Sequence, residues 1–132
     1  MDEKYNIISL NYPSFYVKDY HTAIDFYTQV FGPPQNDTLR IKGWKMGDTW
    51  LTLFPSEDMG HDPDANPRNT EFAIQVTMPE QVDALYTALL EAGAKNCMEP
   101  EDTHMYEPMR FACVDDPVGI RVDVYSLIPG EV

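Results

Sequence analysis

Two carboxylates, Glu71 in EFAIQV and Asp123 in RVDVY, stand inside alternating apolar runs, where a charged side chain needs a reason. Carboxylates on one sheet face can work as a general base, hold a hard divalent cation, or serve as counter-ions for a cationic ligand. Arg121 alternates onto the face of Asp123, and the plainer alternative is a structural ion pair with either acid. Of the three histidines, His104 in the loop EDTHMYEP is the candidate acid–base group or ligand contact. His21 falls in the first turn of a helix, and His61 in a Pro- and Asp-rich segment. Cys113, in RFACVDDP, alternates with Met109 and Phe111. It would be a nucleophile only with a depressed pKa, and neighbouring carboxylates push the other way, so a buried, inert cysteine is expected. Cys97 and Cys113 have neither CxxC spacing nor the density of a disulfide scaffold; reduced thiols are the expectation, though the spacing leaves a bridge open.

The elements that must position these groups come in two copies. When residues 12–31 are set over 71–90, Val17 falls on Val76, Ala23 on Val82, Phe26 on Leu85, Tyr27 on Tyr86 and Val30 on Leu89. The apolar positions recur at helical spacing in both copies. Asp19 is placed to cap the first helix, and Gly32 followed by two prolines stops it; Pro79 suits the first turn of the second helix, and Gly93 its end. An alternating stretch precedes each helix, YPSFYV and EFAIQV. Three strands are expected after each: TLRI, GWKM and TWLTLF with a turn at MGDT, then NCME, MRFACV and IRVDVY with a turn at DDPVG. Module one spans about 5–54, a linker about 55–69 and module two about 70–127, all within one domain of 132 residues.

Alternation then sorts the side chains. Phe15, Val17, Leu51, Leu53, Phe72, Ile74, Val122 and Val124 face the helices. Tyr12, Ser14, Tyr16, Trp50, Thr52, Phe54, Glu71, Gln75, Arg121, Asp123 and Tyr125 face away. The predicted fold is α+β: curved mixed sheets around a cup, helices on the outer face, aromatic and acidic groups lining the hollow. Concave surfaces with a few convergent polar groups suit small organic molecules.

The balance of 22 acidic against 9 basic residues, a formal charge of −13, argues against nucleic acid and anionic membranes as partners and would attract a cation. No apolar run approaches the roughly 20 residues of a membrane helix. The opening MDEKYNIISLNY lacks the basic-then-apolar order of a secretion signal, so a cytoplasmic protein is expected.

The two strand–helix–three-strand units, the opening FYVKDYHTAIDFYTQVFG, the AGAK turn and the closing VDDPVGIRVDVY together resemble the vicinal oxygen chelate superfamily. That group includes glyoxalase I, the bleomycin-resistance proteins and the extradiol dioxygenases. The resemblance implies metal-ligand positions on the first and last strand of each module, which fall here on Tyr12, Thr52, Glu71 and Asp123. It also implies that the face of Cys113 looks into the cup, that the His104 loop can fold over its mouth, and that the chain forms a homodimer. The donor set has no imidazole and includes a neutral threonine, so a metal centre is not expected; two carboxylates leave a hard divalent cation as the alternative. The expected function is binding of an aromatic or cationic organic molecule through Tyr12, Tyr16, Trp50, Thr52, Glu71, His104, Cys113, Arg121 and Asp123, with no cofactor. The alternative is a divalent-metal-dependent lyase, isomerase or dioxygenase-like enzyme on Glu71 and Asp123. A regulatory ligand sensor is a third possibility.

Overall fold

The computed structural model describes residues 5–129. In chain order its elements are β1 (Ser14–Val17), α1 (Tyr20–Phe31), β2 (Asn36–Asp37), β3 (Lys42–Met46), β4 (Thr49–Pro55), β5 (Thr70–Gln75), α2 (Pro79–Glu91), β6 (Lys95–His104), β7 (Pro108–Asp115) and β8 (Ile120–Leu127). Two four-stranded mixed sheets result, ordered β1-β4-β3-β2 and β5-β8-β7-β6. Each module is the expected βαβββ unit. TLRI does not form its strand: β2 is two residues earlier and short, and residues 38–41 bend instead, with Thr38 and Ile41 bonding each other.

The repeat extends to the register. In module one Ser14 stands opposite Thr52, and in module two Ala73 stands opposite Asp123, equivalent residues in both cases. In both modules the first strand runs parallel to the last. A right-handed crossover through the helix is the natural way to join such strands, and it puts both helices on one face.

One core serves both modules. Val17, Ala23, Phe26, Tyr27, Trp44 and Leu53 from the first join Val82, Leu89, Val114, Ile120, Val122 and Val124 from the second in a single buried cluster. Across the seam between β1 and β5 the Phe15 and Phe72 rings meet with centroids 5.6 Å apart. The linker is held at several points: Ser56 Oγ donates to the Pro63 carbonyl, and Asn66 Oδ1 accepts the N–H groups of Lys18 and Asp19. Asp19 therefore does not cap α1 with its side chain; its carboxylate accepts from Asn66 Nδ2 instead. The ends of α2 follow expectation more closely. Pro79 opens it, Gln81 Oε1 accepts the Met78 N–H at 2.9 Å, and Gly93 leaves it at φ 119°.

The cysteines depart from the sequence expectation. Cys97 and Cys113 form a disulfide between β6 and β7, with Cα atoms 5.2 Å apart, so neither is a reduced thiol.

Candidate functional site

The faces turned away from the helices carry the side chains that alternation assigned to them. On the first sheet Tyr12, Ser14, Trp50, Thr52 and Phe54 line a hollow of about 310 Å³ with Asn36, Ile41 and Gly43. Gly43 brings the backbone close to the Trp50 ring. A Cβ at that position would lie 3.2 Å from Cε3 of Trp50, whose ring crosses the strand at that point. The Lys45 ammonium lies over the same ring, 6.0 Å from its centroid. Tyr16 is half-buried and lines a separate recess with His61. Its ring stacks on Phe54 at 4.8 Å, and His61 packs on it at 3.9 Å. His61 is thus a contributor that sequence reasoning set aside, because a linker gives no periodicity from which to place it.

On the second sheet Glu71, Gln75, Arg121, Asp123 and Tyr125 share a face with a small apolar cluster of Met109, Phe111 and Cys113. Arg121 binds neither Glu71 nor Asp123. Its Nε donates to Asp115 Oδ1 at 2.9 Å and its Nη2 to Asp115 Oδ2 at 3.3 Å, since those residues are cross-strand partners on β8 and β7. Asp123 is only 8% exposed, and its Oδ1 has no hydrogen-bond partner. Burial pushes its carboxyl up to about 7, the neighbouring Glu71 carboxylate acts in the same direction, and Arg121 opposes them. Between the modules lies a cleft of about 630 Å³, with Pro13, Met46, Thr49 and Leu51 on one side and Phe72, Ala73, Gln75 and Tyr125 on the other. Tyr125 and Gln75 hydrogen-bond at its wall, 3.3 Å apart.

The sequence-derived candidates are therefore distributed unevenly. Tyr12, Trp50 and Thr52 share one hollow; Glu71 and Arg121 line a polar recess with Asp115; Asp123 and Cys113 are cross-strand partners. His104 is exposed at the last position of β6, opposite Pro108. The four positions matching the family's metal ligands make a poor metal site. Tyr12 is 68% exposed, Thr52 offers only a neutral hydroxyl, and no imidazole accompanies the two carboxylates. Among the described residues no three His, Cys, Asp or Glu side chains gather closely enough to hold an ion.

The buried Asp123 carboxyl has a measurable signature. Because folding raises its pKa, its contribution to stability is full below about pH 4 and is lost as pH rises to about 7, where the charge must be buried. Asp123→Asn keeps the shape, removes the charge and supplies an N–H toward Glu71. We expect the variant to be more stable than the parent by about 1–2 kcal/mol at pH 8 and to lose that advantage at pH 4. Urea midpoints of the two proteins across that range check this; a constant difference would contradict the assignment.

A family model described as the Glyoxalase/Bleomycin resistance protein/Dioxygenase superfamily matches residues 9–124. Among solved structures, a glyoxalase-related enzyme from Fulvimarina pelagi superposes with a TM-score of 0.75 at 19% identity, over 91% of this chain and 88% of that one. A glyoxalase/bleomycin resistance protein/dioxygenase family enzyme from Burkholderia phytofirmans gives 0.74 at 20%, over 89% and 98%. Lactoylglutathione lyase from Agrobacterium tumefaciens gives 0.68 at 20%, over 92% and 95%. At such identities the likeness is one of fold. No curated protein matches the sequence.

Proposed function

The chain belongs to the glyoxalase/bleomycin resistance protein/dioxygenase superfamily, and on that basis we propose that its cup binds a small organic molecule with an aromatic ring and a cationic group, held by stacking and charge. The observation that carries the reading is Asp123, a buried carboxyl with an unpartnered oxygen on the cup face. An uncompensated buried acid is costly, and a cation brought to it recovers that cost. Glu71 lies beside it, and the nearest guanidinium, that of Arg121, is committed to Asp115. The aromatic hollow of Tyr12, Trp50 and Phe54 supplies the flat, apolar complement. A net charge of −13 favours the approach of such a guest. The exposed apolar side chains of Tyr5, Ile7, Ile8, Leu10 and Tyr12 support a homodimer that covers them. A cytoplasmic location rests on the acidic composition alone, and the Cys97–Cys113 disulfide weighs against it.

Trp44 is 1% exposed with its indole N–H bonded to the Gly32 carbonyl, so ligand-dependent fluorescence reports on Trp50, the other of the two tryptophans. Benzyltrimethylammonium should quench that emission saturably and bind more tightly than its uncharged carbon isostere. Asp123→Asn and Glu71→Gln should each weaken binding about tenfold. Equal binding of the two probes would sink the charge reading. Binding or turnover that requires added Mn²⁺ or Mg²⁺, and is lost in the same variants, would instead establish the metal-dependent alternative on these carboxylates.

A further inference from the structure

The Cys97–Cys113 bond lies on the cup side of the second sheet, away from the main core, where Cys113 packs with Met109 and Phe111 and Cys97, Tyr125 and Leu127 adjoin the cluster. Cys113 is also the cross-strand partner of Asp123. Its partner strand is unusual. β6 is an edge strand, and its register slips twice within a few residues: Asn96 pairs with Val114 and Met98 with Cys113, leaving Cys97 as the extra residue of a bulge, and a second irregularity follows before Glu101. Pro100, between these points, has no N–H to give to a ladder. The disulfide thus holds the stretch of β6 that backbone pairing holds least.

We propose that Cys97 and Cys113 are a reversible redox pair that sets the form of the cup wall, exchanging with low-molecular-weight thiols while the protein stays folded. Cys97 is the half-buried partner and Cys113 is 4% exposed, so an incoming thiolate attacks Cys97 Sγ. The Sγ–Sγ bond breaks, a mixed disulfide forms on Cys97, and Cys113 leaves as a thiolate that takes up a proton. A second thiol then attacks the small-molecule sulfur and releases Cys97 as a thiol. Overall, the protein disulfide and two thiols yield a protein dithiol and one small-molecule disulfide; two electrons and two protons enter the protein. The cut need not propagate. As an edge strand, β6 can loosen at its bulges while β7 remains paired to β8 along its length. Reduction would release the wall beside Phe111 and Asp123.

Titration of the native protein in glutathione buffers of graded ratio, with alkylation and intact mass to count thiols, gives the first readout. One reversible transition between zero and two alkylated cysteines is expected. Hydrogen exchange at both ends of the titration gives the second: protection over Lys95–Glu101 should fall on reduction while β7 and β8 keep theirs. Cys97→Ser should reproduce the reduced pattern in every buffer. Alkylation only after denaturation, loss of protection throughout the sheet, or free thiols at every glutathione ratio would each overturn the proposal. Coupling to ligand rests on the binding reading above. Benzyltrimethylammonium should bind the oxidised form more tightly, by about fivefold or more. If that probe binds neither form while the thiol transition and the exchange pattern appear as expected, the binding reading fails and the redox site stands.

Discussion

Replacing Asp116 with alanine should destabilise the protein by about 3–5 kcal/mol, more than any other single side chain outside the apolar core. Asp116 is 6% exposed and its two oxygens are fully engaged. Oδ1 accepts the N–H groups of Val118 and Ile120 at 2.9 and 2.8 Å, which shapes the turn from β7 into β8. Oδ2 accepts the Tyr27 hydroxyl at 2.6 Å, across from α1 in the other module. Alanine would leave two backbone donors and a buried hydroxyl without partners at once. Burial raises the carboxyl's pKa, and the Tyr27 and backbone hydrogen bonds oppose that. Burial raises the Tyr27 hydroxyl as well, and the Asp116 charge adds to it.

Two companion variants separate the parts. An asparagine in place of Asp116 can keep its oxygen on the backbone donors and turn its amide toward the Tyr27 oxygen, so Asp116→Asn should cost about 1 kcal/mol. Tyr27→Phe should cost about 1–2 kcal/mol, and its effect should nearly vanish when Asp116 is already alanine. Urea denaturation of these variants, the double substitution included, measures all of these. Additive losses from Tyr27→Phe and Asp116→Ala would mean that the link between modules is not energetic.

The second large effect concerns the same turn from its other side. Gly119→Ala should cost about 3 kcal/mol or more, lowering Tm by about 10 °C or more. Gly119 sits at φ +101°, outside what an alanine adopts without strain. In addition, a Cβ there would lie 2.7 Å from the backbone oxygen of Pro67 in the linker, an atom that cannot swing aside as a side chain could. Gly93 provides the control. It has φ +119° with nothing within 4 Å of a Cβ, so Gly93→Ala carries the conformational cost alone. If thermal unfolding shows the two substitutions costing the same, the contact between linker and turn contributes nothing.

Asp116 and Gly119 both act through contacts between segments far apart in the chain. The two-module plan, by contrast, is legible in the amino-acid order, because the signals for it are local. A helix declares itself through apolar positions three and four apart, and a half-buried strand through strict alternation, so the equivalences of Val17 with Val76 and Phe26 with Leu85 are readable without coordinates. Alternation also places Trp50, Thr52, Glu71 and Asp123 on the face opposite the helices, since one residue's slip would turn Leu51, Leu53, Val122 and Val124 out of the core.

Local pattern could not decide what each of those side chains meets. Arg121 and Asp123 share a face, yet the β7–β8 register hands the guanidinium to Asp115 and leaves Asp123 without it. A linker histidine without periodicity comes to rest on the Tyr16 ring. The first bulge in β6 sets two residues, Cys97 and Met98, against Cys113, and the one bonded to it is Cys97 and not the Met98 to which it is paired. Asp116 reads in sequence as a turn residue, which it is, and only the packing of α1 against module two turns it into the anchor for Tyr27. Periodicity specifies the face a side chain takes; register shifts and contacts between distant segments choose its partner there, and these exist only once the chain has folded.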